Sequence, residues 1–414
     1  MNTLLDYCRA LDLSDEKGAL CGKILGDMGA DVVKIERPRG DLARNIGPFY
    51  HDIPHPEKSL HWMSFNNNKR GITLDIETAD GKALFLRLVE KADFVIESFH
   101  PGYMERIGIG YDVLSGVNPR VILVSITPFG QTGPYSDYKA SDLVAWGMGG
   151  QLYLCGDPDR PPVQVGFPQA YANGAVQAVA GAMIAHYHRE VAGVGQHVDV
   201  SIQESVIATL MNAQQYWDIS KVVLQRSGVY RQGLAKGALV RQIWQCREGY
   251  VSLTIMGGTL AAITITPLVK WMQEEGAADE FLTTYDWPRF DAGGAPQEVY
   301  DNIERSVSKF FMRYTAVELY REAISRSFIL YPVYRAGEIM ADSQLKARSF
   351  FEVIDHPELA ARITYPGASF RSSEVSGSIR RRAPLIGEHN YDIFEGEMGL
   401  SKAQIALLKQ VEVI

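Results

Sequence analysis

Cysteine is scarce in this chain. Four thiols, Cys8, Cys21, Cys155 and Cys246, are spread over 414 residues without a CxxC pair. That spacing excludes a disulfide framework and a zinc knuckle and leaves buried, reduced thiols. Long apolar runs are also missing. The most continuous one, residues 175–187, is too short to cross a bilayer and is followed by His188, Arg189 and Glu190, so no membrane span is expected. The first residues carry acids early and lack a basic n-region and a long apolar stretch, so a cytoplasmic location is expected. Lys and Arg are scattered among the acids in a chain of net charge -8, which argues against nucleic acid as a partner. His186 and His188 stand two apart on an expected helix and point to different sides, and no metal is expected.

What is present is an ordinary globular composition, 46% hydrophobic and 22% charged, in a chain long enough for two domains. A strand at 4–13, a helix through Leu25, a turn at Gly29 and a strand at 30–36 make a βαβ unit. Strands at 71–74, 94–97 and 121–126 follow, alternating with helices at 79–91 and 103–108. The reading is an α/β protein whose large domain is Rossmann-like, with a smaller α+β domain. The divisions expected are 1–218 for the first part of the large domain, 219–313 for the small domain, and 314–414 for a return to the large one. The first strand-to-helix turn, Ser14-Asp15-Glu16-Lys17-Gly18, lacks the GxGxxG of a dinucleotide site, which excludes an NAD enzyme.

Seven separated segments carry a more specific signal. In order they are GADVVKIERPRGD at 29–41, NNNKRGITLD at 66–75, ADFVIESFHPGYMERIG at 92–108, NPRVI at 118–122, FGQTGPY at 129–135, GVGQHVDVS at 193–201 and RAPLIGEH at 382–389. Together they resemble the family III CoA-transferases, the group of formyl-CoA transferase and carnitine CoA-transferase. The resemblance implies an interlocked dimer, each chain passing through a ring formed by the other. It also implies coenzyme A thioesters as substrates, with no permanently bound cofactor. A CoA site must hold a phosphorylated adenosine diphosphate, for which Arg is better shaped than Lys. Arg37, Lys69, Arg70, Arg106 and Lys139 sit in or beside the motifs implied to supply those contacts, and Arg37 and Arg106 match the family's own.

The same resemblance exposes a lesion. In the family an aspartate attacks the donor thioester and then itself carries CoA. The matching segment here is VGFPQAYANG at 165–174, which puts Tyr171 at the aspartate position. A phenol ionises near pH 10 and has no acyl carbon on which to carry CoA. Two further departures are Glu16-Lys17, where active members often place a glutamine, and SGVYRQGLAKG at 227–237, which lacks a run of glycines. Asp142, Asp157 and Asp159 are the acids weighed as substitutes; the first fits a scaffold position and the others a capping turn.

The expectation is therefore a non-nucleophilic subunit, inactive alone, paired with a homologous catalytic subunit that keeps the aspartate and acting on acyl-CoA and carboxylic acid substrates. This arrangement is similar to that of the succinyl-CoA:(R)-benzylsuccinate CoA-transferases of anaerobic toluene degradation. The alternatives are a self-sufficient homodimer using another carboxylate and a non-catalytic CoA-ester-binding protein.

Overall fold

A computed structural model describes residues 3–210, 212–232, 238–292 and 294–414. They fall into two compact units. The first comprises Met1–Gln151, Val165–Gln214 and Ser343–Ile414, and the second Leu152–Gln164 and Gln215–Asp342.

The first unit is built on six parallel strands: β1 (Arg9–Asp12), β2 (Asp31–Glu36), β3 (Lys69–Thr73), β4 (Phe94–Glu97), β5 (Ile122–Thr127) and β6 (His197–Ser201). Their order across the sheet is β3-β2-β1-β4-β5-β6. Every residue of β4 and β5 is buried, the pattern of strands covered on both faces. On one face Leu11, Val33, Ile72, Val95 and Leu123 pack against Phe85, Leu88 and Val89 of α3 (Ala79–Val89). The C-terminal residues Ile393, Phe394, Ile405 and Val413 close the same core. The other face is covered by α1 (Ala19–Asp27) and the 23-residue helix Ala170–Ala192. Among the described residues no helix is long and apolar enough to cross a membrane.

The first strand is shorter than the apolar run at 4–13 implied. Residues 4–7 form a turn, tied by the Leu5 amide to the Met28 carbonyl, and the ladder begins at Arg9. The expected helices at 79–91 and 103–108 lie at Ala79–Val89 and Tyr103–Arg106.

The motif segments are stapled to one another. Asn68 donates to Asp27 and to the Ser378 carbonyl, and its carbonyl oxygen accepts from the Arg380 and Arg381 amides. Asn390 likewise brackets Thr73. At Gly71 an added Cβ would lie 2.8 Å from Pro384 Cβ, so β3 and the closing segment touch where no side chain fits. Lys69 is fully buried, and its ammonium is spent on Asp12 (2.7 Å), the Ala19 carbonyl (2.8 Å) and Asn66 (2.9 Å). It joins the ends of β1 and β3 and has no proton left for a phosphate. These bonds weigh against Lys69 as a ligand contact.

The second unit holds a three-stranded antiparallel sheet, Ile243–Gln245, Tyr250–Ser252 and Tyr331–Val333, under helices that bury Trp244, Trp271, Trp287, Phe310 and Phe311. The division expected at 314 is displaced to Ser343. The helix Ala316–Arg326 buries Leu319 and Ala323 in this second core, and Tyr331–Val333 pairs with Tyr250–Ser252, so the chain returns only afterwards.

Replacing Lys69 with Ala strands the buried Asp12 carboxylate, and such a loss costs about 3–5 kcal/mol. Urea denaturation of Lys69→Ala is expected to show that loss, with partial recovery in the double variant Asp12→Asn/Lys69→Met. A variant as stable as the parent would return Lys69 to the candidate ligand contacts.

Candidate functional site

The strand order reverses between β1 and β4, and open parallel sheets bind ligands beside such a reversal, at the carboxyl ends of the strands. A cavity of about 840 Å³ lies there. Its walls are the turn after β1 (Asp15, Glu16), the segment after β2 (residues 37–46), the segment after β3 (residues 74–77), and Phe99 and Tyr103 after β4.

The segment after β2 is shaped by charges buried in the strand itself. Lys34, 1% exposed, reaches Asp41 at 3.0 Å and the Ser14 carbonyl. Burial works against its charge, but Asp41, Asp12 and Glu36 hold its proton more firmly than usual. Burial works against ionisation of Asp41 too, and Lys34 with the Ala43 amide overcomes it and holds that carboxyl below its ordinary range. Glu36 is gripped at both oxygens by Arg44 (2.6 and 2.8 Å), whose guanidinium lies 3.8 Å from the Trp62 ring centre. The chain is thus folded back on itself, and two of the wall's carboxylates are neutralised from within.

Among the described residues two arginines, Arg37 and Arg39, line this wall, and a third, Arg106, packs on its Tyr103. Arg37 is exposed, approaches Glu77 at 3.4 Å and also interacts with the Tyr103 hydroxyl. Arg39, also exposed, approaches Glu412 at 3.5 Å. Arg106 is exposed and lies over the ring of Tyr103 at 4.9 Å, both on α4 (Tyr103–Arg106), which follows α2 (Leu60–Phe65) and α3 along the chain. Tyr103 in turn donates to Glu77 at 2.5 Å. Arg37 and Arg106 are therefore joined through Glu77 and Tyr103, while their guanidinium edges stay open to a ligand. Lys139 is exposed in the loop after β5. Arg70 is placed differently. Its guanidinium is forked onto Asp31 and bonded to Glu397, at the start of β3, away from the strand end that borders the cavity. Tyr103 and Arg39 were missed from sequence; the three-residue spacing of Tyr103 and Arg106 on a helix was the available signal.

Tyr171 is buried, 9% exposed, in the first turn of α7, the helix Ala170–Ala192, with Tyr111–Val117 as α5 and Asp142–Met148 as α6. Its amide donates to Asp142 Oδ1 at 2.9 Å, and among the described residues its hydroxyl has no hydrogen-bond partner. Burial first, then the charges of Glu16, Asp15 and Asp142, push the phenol far above its ordinary range. An environment this acidic opposes the phenolate that a nucleophile would need. Asp142 is 7% exposed and spends one oxygen on the start of α7. It caps a helix there instead of standing open to a thioester.

Lys17 is held by Asp15, and Glu16 stands on the wall with its proton affinity raised by desolvation, Asp15 and Asp142. Asp157 and Asp159 belong to the second unit. Of the segment 227–237, residues 233–237 lie outside the described residues.

Residues 6–390 match the family model described as CoA-transferase family III. The chain is 34% identical to the succinyl-CoA:(R)-benzylsuccinate CoA-transferase subunit BbsE of Thauera aromatica, over 93% of this chain and 92% of that one. It is 31% identical to the succinyl-CoA–D-citramalate CoA-transferase of Chloroflexus aurantiacus, over 99% and 98%. Identity to the formyl-CoA:oxalate CoA-transferase of Streptomyces avermitilis is 30% over the full length of both. Among solved structures, a CAIB/BAIF family protein from Brucella suis superposes with a TM-score of 0.82 at 27% identity, covering 96% of this chain and 100% of that one.

The shielding of Tyr171 is open to direct measurement. At about pH 10 a free phenol is half ionised, whereas the ultraviolet difference spectrum between the parent and Tyr171→Phe is expected to contain no phenolate contribution there. A phenolate step at or below that pH would mean that Tyr171 is accessible to base.

Proposed function

The chain belongs to CoA-transferase family III, and from that premise we propose that it is the non-nucleophilic subunit of a heteromeric CoA-transferase whose aspartate is supplied by a homologous partner. The observation that carries this reading is the buried Tyr171 at the position of the family's attacking carboxylate. In the complete reaction the partner's aspartate attacks the donor thioester, giving a mixed anhydride and CoA thiolate. The thiolate then attacks the aspartyl carbonyl, releasing the donor acid and leaving CoA on the enzyme. The acceptor carboxylate reverses these two steps and departs as its CoA ester. Each step requires an acyl carbon on the enzyme, which Tyr171 does not have.

The need for a partner is supported by α7. Its outer side presents Val176, Ala180, Ile184, Tyr187 and Val191, spaced to form one stripe, and four of these are 50–77% exposed. An apolar stripe of this kind calls for cover. It lies on the helix that carries Tyr171, so subunit association and the altered site share one element. An interlocked pair, one chain with the aspartate and one without, is the assembly we infer. The relative named as a subunit of succinyl-CoA:(R)-benzylsuccinate CoA-transferase supports succinyl-CoA as donor and an aryl-substituted succinate as acceptor.

Expressed alone, the chain is expected to show no transfer from succinyl-CoA to any carboxylate; robust turnover by the isolated chain would overturn the reading. In the assembled pair, replacing the partner's aspartate is expected to abolish transfer, while Tyr171→Phe changes the rate less than about tenfold, below about 1.4 kcal/mol in barrier. A collapse of activity in Tyr171→Phe with assembly intact would place this tyrosine in the chemistry.

The cavity's cations give a separate test. Arg37→Ala and Arg106→Ala are each expected to weaken CoA binding by about 1.5–3 kcal/mol, the loss typical of a hydrogen bond to a charged group. Titration calorimetry measures it, and unchanged affinity in both would remove these arginines from the ligand.

A further inference from the structure

Beneath the cavity lies a carboxyl that none of the chemistry above uses. Glu97 ends β4, is 3% exposed, and accepts the Phe99 amide at 2.6 Å. Ser125, its register partner on β5, hydrogen-bonds the same carboxyl. Ser125 Oγ also lies 2.8 Å from His197 Nε2 on β6. The chain His197, Ser125, Glu97 ends at Phe99, and Phe99 is cavity wall, its ring 4.6 Å from that of Tyr103.

The charged and titratable groups around Glu97 come from each neighbouring element. The turn after β1 contributes Lys17 and, through Ser98, Asp15. Helix α4 contributes Glu105, and β6 contributes His197, which has Asp199 nearby and is stacked on Tyr111 of α5. Burial dominates and raises the Glu97 carboxyl to about 7, with Glu105 adding to the rise and Ser125, the Phe99 amide and Lys17 opposing it. Desolvation by its neighbours holds His197 below its ordinary value, although the residue is exposed at the surface of this chain.

The hydroxyl of Ser125 has one proton, which gives the chain two polarities. With Glu97 ionised, Ser125 donates to it and accepts from His197. With Glu97 protonated, Glu97 donates to Ser125 and Ser125 donates to His197 Nε2, the ring proton of His197 then residing on Nδ1. Only the ionised form makes the Phe99 contact a charge-assisted bond, the stronger kind.

We propose that Glu97 is a positioning residue whose protonation is coupled to occupancy of the cavity, so that binding of the polyanionic CoA ester takes up a proton at Glu97 and relaxes the Phe99–Tyr103 wall. This rests on the reading of the cavity as the CoA site. The sign follows from linkage: negative charge arriving near a carboxyl raises its proton affinity, so proton uptake accompanies binding, and affinity falls as pH rises through the titration.

The ligand-free test is the amide resonance of Phe99, followed by nuclear magnetic resonance in the full chain from about pH 6 to 8.5, a range centred on the raised carboxyl. A single titration step is expected in the parent and none in Glu97→Gln. CoA is then added, and the midpoint is expected to rise while CoA affinity falls toward the single-proton limit of about tenfold per pH unit; Glu97→Gln flattens that dependence. Should Glu97→Gln fail to fold, Ser125→Ala serves, since loss of its hydrogen bond moves the midpoint upward. A Phe99 amide that does not titrate, or that titrates equally in Glu97→Gln, overturns the proposal. Absence of CoA binding at every pH, with the Phe99 titration intact, overturns instead the reading of the cavity, and the coupling with it.

Discussion

The structure of the first unit depends on charges buried inside its sheet. Lys34 and Glu36 lie in β2, and Lys69 lies in the neighbouring β3 opposite Val32, where a parallel strand covered on both faces would ordinarily carry Val or Ile. A buried charge persists only if it is paired and hydrogen-bonded. Lys34 therefore draws Asp41 inward, Glu36 draws Arg44, and Lys69 draws Asp12. These three demands bend the segment after β2 into a wall and tie it to the first strand. The cavity is the space left when they are met. Arg37, between Glu36 and Asp41 in sequence, is left on the rim because its neighbours are pulled in.

The same constraint explains what was legible in the sequence. Alternating strands and helices were readable because apolar periodicity is local, and the limits of β4 came out as Phe94–Glu97. The motif segments were readable as a set, but the roles of their cations were not. Lys69 and Arg70 are adjacent and chemically suited to phosphate. What disqualifies them is Asp12, Asp31 and Glu397, residues 57, 39 and 327 positions away in sequence. Arg37 and Arg106 keep open guanidinium edges for an equally nonlocal reason. Glu97 passed unremarked within its motif, since its burial and its contact with Ser125 depend on how β4 registers against β5. The compact units part at Ser343 and not at 314 because the helix Ala316–Arg326 packs in the second core, and a helix reads alike whichever core receives it.

Around Tyr171 the local electrostatics oppose a charged nucleophile. An aspartate at this place would face Glu16, Asp15 and Asp142, three carboxylates whose field raises proton affinity. A phenol tolerates that field as a neutral group. The helix that carries it opens on the Asp142 cap and runs on to an exposed apolar stripe, so the altered first turn and the stripe are separate parts of one element. On the proposed reading, that separation would let one copy of the fold keep the acyl-carrying carbon while the other supplies a wall.

The most direct test is to find the carboxylate that carries CoA. The assembled complex, incubated with succinyl-CoA and quenched with hydroxylamine, converts the enzyme-bound thioester into a hydroxamate that peptide mass spectrometry can locate. The account predicts a hydroxamate on the partner's aspartate and none on Glu16, Asp15 or Asp142. A hydroxamate on any acid of this chain would contradict it.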